Sequence, residues 1–267
     1  YFGQALGGFG ATVATAYTWH FTFHSFGLIG IAYSFVLIFF LREKKDGAHA
    51  NLSDKMLLPE KTSVWKGLAL LFSNISFWII LFYFAIPSLP GWATKNWLPT
   101  LFAQNLDIPM SQAGPLSTIT IAASSFIGVI FGGILSDRWV QKNVRGRIYT
   151  SAIGLALTIP SLLLLGFGHS LFNVIGAALC FGVGYGMFDA NNMPILCQFV
   201  PQRLRATAYG IMNMVGVFAG AFITDLLGRS SDAGNLGKSF AMLAGIVLVA
   251  LIIQVSFLRP KVNNFVD

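Results

Sequence analysis

The stretch Gly132-Gly133-Ile134-Leu135-Ser136-Asp137-Arg138, then the insert Trp139 to Val144, then Arg145-Gly146-Arg147, lies between two long apolar runs. Glycines at the end of an apolar run let two helices approach closely, because no Cβ holds their backbones apart. An aspartate at a helix end followed by arginines supplies charge-assisted hydrogen bonds that latch neighbouring helices. A plain basic loop accounts for the arginines, but not for the glycines or the aspartate. Gly133, Asp137, Arg138, Arg145 and Arg147 are therefore candidates for a gate at one end of a helical bundle.

The chain around this stretch has 267 residues, 55% hydrophobic and only 10% charged, with 25 phenylalanines. A soluble domain carries about 25% charged residues. Lipid is therefore the solvent for most of this chain. Apolar segments of spanning length run from Phe2 to Tyr17, Phe23 to Leu41, Leu68 to Phe102, Gln112 to Ser136, Ile148 to Phe167, Leu171 to Phe199, Ala206 to Gly228, and Gly237 to Leu258. They predict an all-α integral membrane protein with eight transmembrane helices. Pro87, Pro90, Gly91 and Pro99 are expected to kink or unwind the long third span. The chain opens at Tyr1 in a glycine-rich apolar run with no charged region ahead of it, which predicts a truncated start rather than a signal peptide.

The net charge is +7, but the basic residues fall in the gaps between apolar runs instead of along one stripe. That distribution speaks for membrane topology and against nucleic acid as a partner. Arg42, Lys44, Lys45, Lys55, Lys61, Lys66, Arg138, Lys142, Arg145, Arg147, Arg203, Arg205, Arg259 and Lys261 share one side; Lys95, Arg229 and Lys238 are left to the other side and the spans. Positive loops stay cytoplasmic, so the first side, with the carboxy terminus, is expected inside. The hydrophilic loop from Arg42 to Lys66 reads as a linker between bundles. Cys180 and Cys197 fall in one predicted helix about 25 Å apart, too far to bridge.

The Gly-Asp-Arg stretch with its Arg-Gly-Arg cluster resembles the loop signature of the major facilitator superfamily, which joins the second and third helices of each six-helix half. The resemblance implies a twelve-helix 6+6 fold, of which this chain is the carboxy-terminal two-thirds. Residues 1–41 would be the last two helices of the first bundle, 42–66 the cytoplasmic linker, 67–259 the complete second bundle and 260–267 a cytoplasmic tail, with four amino-terminal helices missing. The insert before Arg145, Trp97-Leu98-Pro99-Thr100, and Pro201-Gln202-Arg203-Leu204-Arg205-Ala206-Thr207-Ala208-Tyr209-Gly210 look like the organic anion and sugar-acid branch, which includes hexuronate, sialate and glutamate carriers.

Polar residues inside spans are costly and mark functional positions by default. In the third span Trp92, Lys95, Asn96 and Pro99 recur at i, i+3, i+4 and i+7, so one face carries an aromatic ring, a cation, an amide and a kink. Lys95 either offers a counter-charge to an anion or snorkels to the outer headgroups. Tyr83 of the same span is a further candidate contact. In the sixth span Gly182-Val183-Gly184-Tyr185-Gly186 precedes Asp189 and Asn192, which share a helical face. No strand surrounds these glycines, so close packing and bending explain them better than a dinucleotide site. Asp189 can line a cavity, take a coupling proton or pair with a basic residue elsewhere; a structural hydrogen-bonded aspartate is the plain alternative. Gln4 in the first span and Asn213 in the seventh complete the candidate substrate contacts. His20 and His24 sit among Trp19, Phe21 and Phe23, which fits an aromatic belt better than a metal site.

These features point to a secondary transporter that works by alternating access, with proton-coupled uptake of a small organic anion such as a sugar acid as the expected activity. The expected partners are that substrate, a proton or sodium ion, and the bilayer of a bacterial cytoplasmic membrane; the protein is expected to be a monomer without cofactor or metal. Alternative cargoes are a neutral sugar, a sugar phosphate or a drug. A membrane enzyme would need carboxylates, a Ser-His pair or metal ligands gathered at one depth, whereas Asp189 and Asp225 fall at different depths. A channel would need a repeated pore loop or charged ring.

Overall fold

The structure, a computed structural model, describes residues 2–40 and 64–258. Lipid offers no partner to a backbone N–H or C=O, so spanning segments satisfy these groups within themselves as helices. The helices are α1 (Phe2–Gly8), α2 (Gly10–Ala16), α3 (Trp19–Phe40), α4 (Val64–Phe72), α5 (Ile75–Leu106), α6 (Met110–Val140), α7 (Gly146–Phe167), α8 (Leu171–Asp189), α9 (Asn192–Cys197), α10 (Arg205–Asp232) and α11 (Leu236–Phe257), with a 3-10 turn over Gln202–Leu204.

Among the described residues seven segments are long and apolar enough to span: Trp19–Phe40, Ile75–Leu106, Met110–Val140, Gly146–Phe167, Leu171–Cys197, Gln202–Asp232 and Leu236–Phe257. The expected first span is the pair α1 and α2, broken at Phe9 and shorter than the seven long segments. The third span begins at Ile75 rather than Leu68. Asn74 leaves the helical conformation and its side chain accepts from the Ser76 N–H at 2.9 Å, an N-cap that separates α4 from α5. Pro87, Pro90 and Pro99 lie inside α5, which the structure runs unbroken from Ile75 to Leu106. The sixth span is interrupted at Ala190 and Asn191, and Pro194 falls in the first turn of α9, where the missing N–H costs nothing. The expected linker runs into helix from Val64; the remainder of that segment and the tail from Arg259 lie outside the described residues.

Packing follows from glycine placement. Gly182 and Gly186, four apart on α8, meet Ser124 and Ser125 on α6, while Gly128 and Gly132, four apart on α6, meet Val183 and Met187 on α8. Two small-residue ridges thus face one another and bring the backbones close. Gly184 points to the other side of α8, against Gly154 of α7. Phe77, Phe102, Phe181, Phe188 and Phe240 fill the space between the closely approached helices. By contrast α3 buries only Thr22 and exposes apolar side chains all round.

Candidate functional site

Gln4, Trp92, Lys95, Asn96 and Asp189 line one cavity of about 530 Å³. They reach it from three helices, since Gln4 projects from α1, the next three from α5 and Asp189 from the last residue of α8. Helix α1 is held against α6 because Gly8 lets the Thr118 hydroxyl come against its backbone, and α2 is tied to α6 by Thr12 Oγ1, which donates to the Ser111 carbonyl at 2.8 Å. Gly91 of α5 likewise makes room for the Tyr185 hydroxyl of α8. A Cβ at either glycine would push a cavity wall outward.

Helix α8 brings an aromatic pair and Asp189 to the cavity, and α5 brings Trp92 and Lys95. Phe181 and Tyr185, one turn apart on α8, stack at 5.7 Å with an interplanar angle of 9°. Lys95 Nζ lies 5.0 Å from the centroid of the Trp92 ring. Such a cation–π contact is worth about 0.5–1 kcal/mol at an exposed site, against about 1.5–3 for a hydrogen bond to a charged group. Trp92 therefore steadies Lys95 without meeting its need for a counter-charge. Among the described residues Lys95 makes no salt bridge. Asn96 is tied outward, its Nδ2 donating to Thr224 Oγ1 at 2.8 Å, and Trp97 Nε1 donates to the Thr224 carbonyl at 3.1 Å, which fixes α10 beside the cavity.

The remaining candidates lie elsewhere. Tyr83 and Asn192 are buried behind the cavity in a polar chain: Tyr83 OH and Ser151 Oγ are 2.7 Å apart, Tyr83 OH donates to Asn192 Oδ1 at 3.2 Å, and Asn192 Nδ2 donates to Asp189 Oδ1 at 3.3 Å. Asn213 is outside the cavity, its Nδ2 donating to the Tyr209 carbonyl one turn back. Sequence reasoning passed over Phe181, Tyr185, Ser125 and Thr94 in the cavity wall; the i, i+4 aromatic pair was the available signal for the first two. Among the described residues no three His, Cys, Asp or Glu side chains gather to hold a metal.

At the far end of α6 the Gly-Asp-Arg stretch is tied to α7 and to the end of α11. Asp137 Oδ1 accepts from Arg147 Nη2 at 2.9 Å. Arg145 donates to the Leu258 carbonyl just past α11 and to Tyr149 OH, both at 3.3 Å. Gly146 packs on the Trp139–Val140 backbone, where a side chain would not fit. Gly132 holds the close approach to Met187, and Gly133, a third of a turn further on, has open space around it. Arg138 is exposed in the last turn of α6.

A model of the Major Facilitator Superfamily matches residues 1–224. The chain belongs to that superfamily. Among curated superfamily relatives, the citrate-proton symporter of Klebsiella pneumoniae is 29% identical over 49% of this chain and 31% of its own length. The human chromaffin granule amine transporter is 31% identical over 42% of this chain and 20% of its own, and the hexuronate transporter of Bacillus subtilis 22% identical over 94% and 61%. The crystal structure of a bacterial homologue of the human lysosomal transporter Spinster, inward-facing and occupied, shares the fold with a TM-score of 0.53 at 14% identity, over 67% of this chain and 48% of that one. The chain spans less than two thirds of each of these proteins. The three curated relatives are transporters by name.

Proposed function

We propose that this chain is the carboxy-terminal two-thirds of a twelve-helix alternating-access carrier that moves a small organic anion, a sugar acid or related carboxylate, together with protons. The observation that carries the proposal is Lys95: an exposed cation on the wall of a cavity, placed over Trp92, with no carboxylate bonded to it among the described residues. An anionic substrate supplies the missing counter-charge. Tyr185, backed by the buried Phe181 ring, offers an aromatic surface to a sugar ring, and Gln4 and Asp189 offer a donor and an acceptor to its hydroxyls.

In this account Gln4 belongs to the first bundle and the α5 and α8 residues to the second, so the cavity lies between the bodies that rock past each other. Asp189 is the candidate coupling charge, and the Asp137–Arg147 latch opens and closes with the rocking motion. The long-span hexuronate relative and the citrate-proton symporter support an anion moved with protons; the amine transporter favours a cation, which would face Lys95 in this cavity.

The test is uptake of labelled glucuronate into proteoliposomes holding the full-length protein, with and without an imposed inward proton gradient. Uptake that the gradient stimulates is the expected result. Uptake of neutral or cationic solutes only would overturn the proposal.

A further inference from the structure

Tyr83 and Asn192 carry the polar groups expected of substrate ligands, yet both are buried, at 2% and 3% exposure, and neither lines the cavity. Burying a tyrosine hydroxyl and a carboxamide in a bilayer-embedded core is expensive unless each polar atom is paired. Here the pairing has a direction. A tyrosine hydroxyl that donates to Asn192 Oδ1 fixes which end of the amide is oxygen, and so aims the amide N–H at Asp189. Ser151, itself fully buried on α7, closes the chain on the Tyr83 oxygen. The ring is held edge-on against Phe188 with centroids 5.4 Å apart. Ser151 of α7, Tyr83 of α5 and Asn192 of α9 thus form one chain that ends on the Asp189 carboxylate of α8, at the point where the sixth span is interrupted.

We infer that Tyr83 and Asn192 are positioning residues: Tyr83 locks the Asn192 amide, and the amide holds the Asp189 carboxylate at the mouth of the α8–α9 break in the orientation that meets substrate in the cavity. This rests on the reading of the cavity as a substrate site. The backbone stays hydrogen-bonded through the break, Ala190 N–H to the Gly186 carbonyl and Asn191 N–H to the Phe188 carbonyl, and the bond from Asn192 to Asp189 adds a side-chain tie across it. Tyr83 fixes that tie from outside the segment. The tyrosine acts on substrate only through Asn192 and Asp189.

The experiment measures glucuronate binding and uptake by the full-length carrier. Tyr83→Phe deletes the hydroxyl and keeps the ring, so the core packing around Phe188 is preserved. It is expected to weaken glucuronate binding by roughly three- to tenfold, the range of one neutral hydrogen bond, with the change falling on KM more than on Vmax. A merely destabilised protein would lose Vmax with KM intact. Asn192→Ala is expected to weaken binding at least as much, and the Tyr83→Phe, Asn192→Ala double variant to match Asn192→Ala alone, because both act along one path. Losses that multiply in the double variant overturn the inference, as does a Tyr83→Phe protein with unchanged binding. In an Asp189→Ala background, where no side-chain oxygen faces the Asn192 amide, Tyr83→Phe should add nothing. If Asp189→Ala leaves glucuronate binding unchanged while Lys95→Gln weakens it, the inference alone fails; if neither weakens it, the reading of the cavity fails as well. If Asp189→Ala weakens binding but the Tyr83 effect persists undiminished beside it, the inference alone fails.

Discussion

Gly154 of α7 and Gly184 of α8 face one another so closely that a Cβ on either would run into the carbonyl oxygen of the other. The neighbours at risk are backbone atoms, which cannot rotate away as a side chain can. Replacing Gly184 by Ala therefore forces the helices apart, at the overpacking cost of about 1–3 kcal/mol. A lower thermal midpoint in detergent is the expected outcome. Gly176→Ala, on the same helix but with open space around it, should leave the midpoint unchanged or raise it slightly.

Asp137 and Arg147 form an ion pair at 2.9 Å with 66% and 23% of their side chains exposed. Pairs of this exposure contribute about 0–1 kcal/mol to stability. Asp137→Asn should thus move the thermal midpoint little, while the uptake rate falls because the latch no longer closes. Exchanging the two residues, Asp137→Arg with Arg147→Asp, should recover part of that rate. An Asp137→Asn protein with wild-type uptake would show that the pair does not gate.

Arg145 reaches the Leu258 carbonyl at the end of α11, where carbonyls lack an intrahelical partner and a cation is favoured. Arg145→Ala should loosen that end alone. Hydrogen exchange read over Val255–Leu258 is expected to speed up, and exchange in the middle of α7 to stay as it was.

The seven long helices were legible because long apolar runs have no other stable form in lipid. The interruptions were not. Leu68–Phe72 continues into Ile75 with only Ser73 and Asn74 between, and the cap that divides α4 from α5 is a two-residue signal inside an apolar run. The break between α1 and α2 carries no proline; glycine at positions 7, 8 and 10 fits equally well in a packed helix. At the site, the periodicity of Trp92, Lys95 and Asn96 placed three wall residues together, since a shared helical face survives folding. Ser151 could not be read as a partner of Tyr83, because the bond joins helices 68 residues apart in sequence. For the same reason Tyr83 and Asn192, expected at the substrate, lie behind it.

Equilibrium binding to the full-length protein tests the proposed role of Lys95 as the counter-charge of an anion site. Wild-type protein should bind glucuronate in strong preference to glucose, and Lys95→Gln should weaken glucuronate binding by roughly 10- to 150-fold, the worth of one charge-assisted hydrogen bond. Equal binding of glucose and glucuronate, left unchanged by Lys95→Gln, would contradict it.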